Sequence, residues 1–202
     1  MQSDRPRPAP SASEGFDALL ADVQAGRPSA WDRCFRGLAP AVAGYLRAQG
    51  AREVDDLTSE VFLAVFRNIA TFSGTEANFR SWVFVIAHRR LQDERRRRFR
   101  RPAGDSFDES SIERLGRMAS AANTARGADD EALRSIGTQR VTELCARLVP
   151  DQREVLILRI IGDLTVDQVA EVLGKSPGAV KQLQRRGFEA VRRLVDREGV
   201  PL

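Results

Sequence analysis

The sequence predicts an all-α protein built from two small helical domains that are joined by a flexible linker. Apolar residues recur at spacings of three and four along most of the chain, whereas the period-two alternation of a β-strand is nearly absent. A chain of 202 residues that is 42% hydrophobic can form one medium domain or two small ones. The apolar pattern fades between residues 102 and 134, and this break predicts the boundary between the domains.

The composition favours a cytoplasmic protein that can bind a polyanion. Lys and Arg number 32 against 28 Asp and Glu, so the chain is mildly basic with a net charge of +4. The two cysteines, Cys34 and Cys145, lie among apolar residues, and we expect buried thiols in a reducing compartment. We see no signal peptide and no apolar run of the roughly 20 residues that span a membrane. We therefore expect no membrane insertion.

The first domain is predicted over residues 14–101. Residues 1–13 are proline-rich and polar, and we expect them to be disordered. The first two helical patterns carry Phe16, Leu19, Leu20 and Val23, and then Trp31, Phe35, Leu38, Val42 and Leu46. Pro40 lies inside the second pattern and is expected to bend or divide that helix, and Gly50 is expected to end it.

The third helix is predicted from about residue 55 to residue 69, and it begins with carboxylates. Asp56 and Glu60 are four residues apart and share one helix face. Paired carboxylates are compatible with acid-base catalysis or a metal site, but the only histidine, His88, lies far along the chain among arginines. We therefore predict no catalytic residue, no metal ligand and no cofactor. The face is either a solvated surface or a protein-docking surface.

The fourth helix is predicted to begin near Asn78 and to continue into a run of arginines. The basic residues of this segment are Arg89, Arg90, Arg95, Arg96, Arg97, Arg98, Arg100 and Arg101. Such a run is typical of phosphate binding, with an affinity that falls as salt rises. Phe79 and Trp82 lie just upstream, and aromatic rings beside a basic track can stack on unpaired bases. The alternative is that both rings belong to the hydrophobic core.

The linker is predicted over residues 102–134, which are rich in Ala, Gly, Ser and acidic residues. The second domain is predicted over residues 135–202. An apolar stripe from Val141 to Leu148 opens it, and Pro150 begins the next helix.

The segment from Leu164 to Gly187 predicts a helix-turn-helix. Thr165 and Gln168 match a capping box, and Gly174 can adopt the left-handed conformation that ends a helix. Ser176 can cap a second helix, with Pro177 at its first position. A turn of about three residues separates the two helices, as in DNA-binding proteins of this type.

The second of these helices has two different faces. The inward seam is formed by Val180, Leu183, Gly187, Val191 and Leu194. The outward stripe is formed by Gly178, Lys181, Gln182 and Arg185, with Gln184 and Arg186 beside it. Lysine and arginine can donate to guanine and glutamine can pair with adenine, while small residues near the helix start allow close approach to a duplex. A solvated helix face is the alternative.

Three blocks of the sequence, in order, resemble the extracytoplasmic-function (ECF) sigma factors of the sigma-70 family. DDLTSEVFLAVF is similar to the acidic helix of sigma region 2.2, and FSGTEANFRSWVFVIAHRRLQDERRRR is similar to regions 2.3 and 2.4. LVPDQREVLILRIIGDLTVDQVAEVLGKSPGAVKQLQRRGFEAVRRL is similar to region 4. The two predicted domains then correspond to sigma region 2 and to sigma region 4 with its helix-turn-helix.

The resemblance implies RNA polymerase core, with its beta-prime and beta subunits, and promoter DNA as partners. It implies polymerase contacts from Asp55, Asp56, Glu60 and Phe62. It implies minus-ten DNA contacts, including a flipped base held by the loop of residues 73–79, from Ser73, Gly74, Thr75, Asn78, Phe79, Arg80, Trp82, Arg89, Arg90, Arg95 and Arg96. It implies minus-thirty-five contacts from Ser176, Gly178, Ala179, Lys181, Gln182 and Arg186, to which the outward stripe adds Arg185. An anti-sigma factor that holds the chain, in some cases at the membrane, is also expected.

Two positions depart from the family pattern. Arg89 stands where members often carry asparagine, and Leu183 stands where the recognition helix often carries arginine. A self-sufficient helix-turn-helix regulator is the alternative function. It accounts for the second domain but not for the acidic helix and the loop-tryptophan-arginine block of the first.

Overall fold

The computed structural model describes residues 12–99 and 143–198, and the regular secondary structure of these residues is entirely helical. The N-terminal domain contains α1 (Ala12–Gln24), α2 (Pro28–Ala48), α3 (Val54–Asn68), a 3-10 turn (Ile69–Thr71) and α4 (Glu76–Phe99). The C-terminal domain contains a helical turn at residues 143–146, then α5 (Pro150–Ile160), α6 (Val166–Leu173) and α7 (Pro177–Glu198). The predicted linker, the Val141 end of the first stripe and most of the predicted tail lie outside the described residues.

Two boundaries and one helix differ from the prediction. Helix α1 begins at Ala12, inside the segment that we predicted to be a disordered tail, and α4 begins at Glu76 rather than near Asn78. Helix α2 continues through Pro40 and is not divided. Pro40 has no N–H to donate to the carbonyl of Arg36, four residues earlier. Both residues lie on the exposed side of α2. Water can therefore solvate that carbonyl, while the buried side of α2 keeps the helix in place.

Helix α4 is the centre of the fold. Every residue from Ser81 to Ala87 is buried, although a helix at a protein surface has one polar side. Helices α2 and α3 pack against α4, and α6 of the C-terminal domain also packs against it. Buried residues of both domains form one continuous hydrophobic cluster. The described residues of the two domains are therefore in direct contact.

The C-terminal domain depends on a close crossing of α5 and α7. A Cβ atom at Gly187 would lie 3.0 Å from Leu156 Cδ1, so a side chain at this position would require Leu156 to shift by a few tenths of an ångström. Val180 and Gly187 are buried in the seam, and Leu183, Val191 and Leu194 are partly buried against the core. This confirms the inward face that was predicted for the second helix of the helix-turn-helix.

The two cysteines are buried, as predicted. Burial raises the pKa of the Cys34 thiol to about 11. It also raises the pKa of the Cys145 thiol to about 12, although the charge of Arg153 acts in the opposite direction. Both thiols are therefore protonated and unreactive at neutral pH.

Candidate nucleic-acid and polymerase interfaces

The helix-turn-helix has the capping geometry that the sequence predicts. The Thr165 side chain accepts a hydrogen bond from the Gln168 N–H at 3.3 Å, and the Gln168 side chain accepts one from the Thr165 N–H at 2.8 Å. Gly174 ends α6 with a φ of 62°, in the left-handed region. Ser176 Oγ then accepts a hydrogen bond from the Ala179 N–H at 3.2 Å at the start of α7. These bonds define both ends of α6 and the start of α7.

The outward stripe of α7 is open to solvent. Ser176, Gly178, Lys181, Gln182, Arg185 and Arg186 are exposed, and Ala179 is half-buried. Arg185 has a weak contact with Glu189 at 3.9 Å, with both side chains mostly in water. All seven residues predicted to contact the minus-thirty-five element thus lie on the first turns of one helix, where a DNA major groove could receive them.

The acidic helix α3 presents a face that is partly charged and partly apolar. Asp55 and Asp56 are exposed at its N-terminus, and Leu63 and Phe66 are 54% and 52% exposed further along it. Exposed apolar side chains that lie together with a rim of charges are a feature of protein-docking surfaces. The sequence analysis did not single out Leu63 or Phe66. Their positions seven and ten residues after Asp56 place them on its helix face, and this spacing is the signal that could have identified them.

The structure assigns Phe62 and Glu60 to contacts within the chain. Phe62 is only 3% exposed, and its ring packs edge-on against Trp31 and Phe35, with ring centroids 6.4 Å and 4.7 Å away. Glu60 lies 3.9 Å from Arg90 and 3.8 Å from Arg97 of α4. Phe62 therefore cannot be reached by a partner protein, and Glu60 is partly neutralised by α4.

Hydrogen bonds between its own residues hold the loop before α4 in one conformation. Asn78 Oδ1 accepts hydrogen bonds from the Thr75 N–H at 3.0 Å and from Thr75 Oγ1 at 2.5 Å, and so caps α4. Gly74 has a φ of 147°, and a Cβ atom there would lie 3.1 Å from Asn78 Cβ. Asn78, which was predicted to contact DNA, is buried, and its Oδ1 atom is used to hold the loop.

The aromatic residues of this region form core rather than a stacking platform. Phe79 is 4% exposed and Trp82 is 2% exposed. Phe72 stacks on Trp82 with ring centroids 5.2 Å apart, and Phe16 packs against Phe79 at 5.7 Å. Phe79 and Trp82 were predicted to contact DNA, and in this structure neighbouring rings cover them, so neither ring is open to a base. The alternative stated for them, a place in the hydrophobic core, is the one observed.

The predicted basic track is only partly available to a ligand. Arg96 and Ser73 are exposed, whereas Arg80, Arg89, Arg90 and Arg95 are half-buried. Arg95 donates to the Gln49 carbonyl at 2.7 Å and thereby caps the end of α2. Arg80 lines a shallow cleft between α1, α2 and the start of α4, together with Arg33, which the sequence analysis did not identify. The cleft thus carries two cationic groups, Arg33 and Arg80, and one carboxylate, Glu76.

A buried polar cluster joins the two domains. Tyr45 of α2 donates to Glu154 of α5 at 3.1 Å, and His88 Nδ1 of α4 lies 3.0 Å from the Tyr45 hydroxyl and 3.1 Å from Glu154 Oε1. Burial alone would raise the pKa of Glu154, but hydrogen bonds with His88 and Tyr45 and the nearby charge of Arg95 outweigh it and lower that pKa. Burial, together with the neighbouring Glu154, raises the pKa of Tyr45, so its hydroxyl remains a donor.

This cluster predicts a specific acid sensitivity. Because the folded-state pKa of Glu154 lies below its ordinary value of 4.5, ionised Glu154 stabilises the fold above that value. The stabilisation is lost as the pH falls through the folded-state pKa. We expect wild type to exceed E154Q in free energy of unfolding at pH 6, and the difference to shrink towards pH 3. Urea unfolding at each pH measures this difference in free energy. The control is D151N, which removes an exposed carboxylate of α5. A difference that does not change with pH would contradict the assignment.

Two features are absent from residues 12–99 and 143–198. These residues contain no group of three or more His, Cys, Asp or Glu side chains that could hold a metal ion. In the same residues, no helix is long and apolar enough to cross a bilayer.

The fold is that of a two-domain helical protein with a helix-turn-helix in its C-terminal domain. Comparison with protein families matches residues 34–101 to Sigma-70 region 2 and residues 146–193 to Sigma-70, region 4. The ECF RNA polymerase sigma factor BldN of Streptomyces coelicolor is 32% identical over 192 residues, which cover 93% of this chain and 68% of BldN. The ECF RNA polymerase sigma factor ShbA of Streptomyces griseus is 31% identical over 143 residues, covering 71% of this chain and 72% of ShbA.

The chain belongs to the ECF RNA polymerase sigma factors, a family of transcription initiation factors. This confirms the resemblance seen in the sequence and the all-α class with regions 2 and 4. Among solved structures, CnrH in complex with the cytosolic domain of CnrY superposes with a TM-score of 0.56 at 23% identity, covering 89% of this chain and 96% of CnrH. That similarity supports the fold alone.

Proposed function

We propose that the chain binds RNA polymerase core through the exposed face of α3 and reads the minus-thirty-five element with the exposed stripe of α7. The single observation that carries this proposal is that the chain leaves two chemically different surfaces uncovered. One is acidic and apolar, on Asp55, Asp56, Leu63 and Phe66, and the other is basic, on α7. A stand-alone DNA-binding regulator needs the second surface but has no use for the first.

The minus-ten element is proposed to contact the loop at residues 73–77 and the cleft beneath it. Ser73 and Thr75 are exposed, and Arg33 and Arg80 are the nearby cations. Extruding a base from a duplex costs a few kcal/mol, which hydrogen bonds and contacts in such a cleft must offset. The buried rings of Phe79 and Trp82 support the loop from below. Phosphates of the opened strand are assigned to Arg96 and to the half-buried arginines of α4.

We also propose that the chain acts in the cytoplasm and that an anti-sigma factor is a further partner. The exposed apolar residues Leu63 and Phe66 would offer such an inhibitor the same face that core polymerase needs. Binding of either partner would then exclude the other.

Transcription in vitro tests the proposed function. Core polymerase is incubated with genomic fragments of the source organism, with and without the purified chain, and transcript start sites are mapped. We expect new start sites only when both proteins are present. Tight sequence-specific binding of a duplex by the chain alone, with no effect on transcript start sites, would instead support a stand-alone regulator.

The docking face is tested by the double substitution D55N/D56N. Removing these two exposed charges is expected to lower the association rate with core polymerase on the order of tenfold at low salt, because complementary charges steer association. Surface plasmon resonance at two salt concentrations measures the rate. D151N/D196N removes two exposed carboxylates of the C-terminal domain and is expected to have no such effect. Equal rates for the two double variants would remove α3 from the docking surface.

A further inference from the structure

The arginines at the end of α4 are paired with groups of the chain itself. Arg96 lies 3.1 Å from Asp93, and Arg98 lies 2.5 Å from Glu94, so each of these arginines meets a carboxylate of its own helix. Ion pairs three or four residues apart on a helix form readily and are weak in water. The sequence suggests a free cationic track here, but in the folded chain carboxylates already lie beside these charges.

Arg97 differs from its neighbours because its carboxylate comes from another helix. Arg97 Nη2 lies 3.8 Å from Glu60 Oε2 of α3, and Arg90 Nη1 lies 3.9 Å from the same oxygen. Arg90 and Arg97 are seven residues apart, which is two helical turns, so both lie on the face of α4 that packs against α3. One carboxylate oxygen of α3 is thus shared by two guanidinium groups of α4.

The two guanidinium groups differ in their access to solvent. The side chain of Arg90 is 16% exposed, whereas that of Arg97 is 64% exposed. Arg90 is therefore placed to orient the Glu60 carboxylate, and Arg97 is placed to meet a ligand from solution. A phosphate oxygen is the same kind of acceptor for a guanidinium group as a carboxylate oxygen. Arg97 also directly follows Arg96, to which we assign a phosphate of the opened strand.

Glu60 also belongs to the helix face that we assign to core polymerase. It lies four residues after Asp56 and three residues before Leu63, so the three side chains share one face of α3. Asp56 and Leu63 are exposed, and the Glu60 side chain is 41% exposed. The carboxylate of Glu60 is therefore within reach of a docked protein on one side and of Arg97 on the other.

We propose that Arg97 is a further phosphate-binding residue, and that Glu60 is a positioning residue that competes with DNA phosphates for it. In the free chain the Glu60 carboxylate is the acceptor beside Arg97, and Arg90 orients that carboxylate. A cation of the polymerase that binds Glu60 draws it away from Arg97 and makes this arginine available to DNA. This second step rests on the proposed function, whereas the competition between Glu60 and phosphate does not.

Binding of single-stranded DNA by the full chain tests the competition. The probe is a short fluorescent thymidylate strand, and its affinity is followed by anisotropy at two salt concentrations. E60Q removes the charge and keeps the shape of the side chain, so it is expected to bind about two- to fivefold more tightly at low salt, the range of an exposed ion pair. The slope of log affinity against log salt is expected to steepen by about 0.7, because one more phosphate is bound.

E53Q is the matched control for E60Q. It makes the same chemical change seven residues earlier, where Glu53 is exposed and its side chain makes no capping hydrogen bond. Equal changes in affinity and salt slope for E53Q and E60Q would overturn the competition, because net charge alone would then explain both. Far-UV circular dichroism checks that both variants keep their helix content. If E60Q loses it, E60A and E53A replace the pair, since alanine is the most favourable residue in a helix.

A double-mutant cycle tests whether Glu60 acts through Arg97. The variants R97A and E60Q/R97A are expected to bind the thymidylate strand equally, because without Arg97 there is no exposed guanidinium group for the carboxylate to occupy. If E60Q still strengthened binding by the full amount in the R97A background, Arg97 would not be the residue in competition, and the inference would be overturned.

Binding of core polymerase tests the second step. R97A frees Glu60 from one of its two guanidinium groups, so it is expected to raise the affinity for core about two- to fivefold, since ligands that compete for one residue are coupled reciprocally. The control R98A removes the same charge from the next residue, which pairs with Glu94 of α4 rather than with α3. Equal affinities of R97A and R98A would overturn the coupling. If the unmodified chain does not bind core at all, the proposed function fails, while the DNA affinities still decide the competition.

Discussion

Replacing Lys181 and Arg185 together with alanine is expected to lower the affinity of the polymerase-bound chain for its promoter by roughly 30- to 1,000-fold. Both side chains are exposed on the first turns of α7, one turn apart on its outward stripe. A well-aligned contact between such a side chain and a base edge contributes about 1–3 kcal/mol of discrimination. For exposed side chains we take the lower part of that range, about 1–2 kcal/mol each, so losing two contacts should cost about 2–4 kcal/mol. Footprint protection should disappear first at the upstream element.

A matched control separates base reading from general attraction to DNA. R192A/R193A removes the same charge from the same helix, at exposed positions beyond the Gly187 seam. Loss of phosphate contacts weakens binding to all sequences alike and lowers the dependence on salt. Equal losses of affinity in the two double variants, on promoter and on non-promoter DNA alike, would reduce α7 to a nonspecific basic surface.

Replacing Trp82 with alanine is expected to destabilise the N-terminal domain by about 3–5 kcal/mol, since it removes a large buried ring from a close-packed core. Trp82 is 2% exposed and contacts Phe72 and Phe79, which in turn fix the loop at residues 73–79. A small domain has about 5–15 kcal/mol of stability in total, so a loss of this size would unfold a measurable fraction at 37 °C. Urea unfolding followed by circular dichroism measures the free energy of unfolding.

The conservative variant W82F distinguishes a structural ring from a DNA-stacking one. Phenylalanine retains most of the packing and should recover most of the stability and the transcription. If W82A instead kept its stability and lost only the opening of promoter DNA, Trp82 would contact the DNA directly, and the buried placement would not describe the working state.

Local patterns in the sequence were sufficient to predict the structure wherever the stabilising partners lie within a few residues of each other. The capping box of Thr165 and Gln168, the left-handed Gly174 and the Ser176 cap are all satisfied over three or four residues, so they could be predicted and are observed. The two faces of α7 follow from helical periodicity alone, and the burial of Cys34 and Cys145 follows from their apolar neighbours.

The sequence did not show which side chains are exposed where two faces of one helix carry similar residues. Helix α3 carries Phe62, Leu63 and Phe66 within one and a half turns, and only packing against α2 decides which of them is buried. Phe62 was predicted to bind polymerase and is buried, while Leu63 and Phe66 are exposed. Arginines are equally ambiguous, because Arg95 serves as a cap for α2 whereas Arg96 remains in water.

The sequence alone determined the helical class, the positions of the caps, the exposed face of α7 and the family, because each depends on periodicity or on residues close together in the chain. Only the tertiary structure decided that Tyr45 and His88 meet Glu154, and that Gln168 meets the backbone of Ala77. These partners are 43 to 109 residues apart, and no local pattern links them. The contact between the two domains is stabilised by burial of apolar surface and by the hydrogen bonds that satisfy the Glu154 carboxylate, and both exist only once the helices have packed.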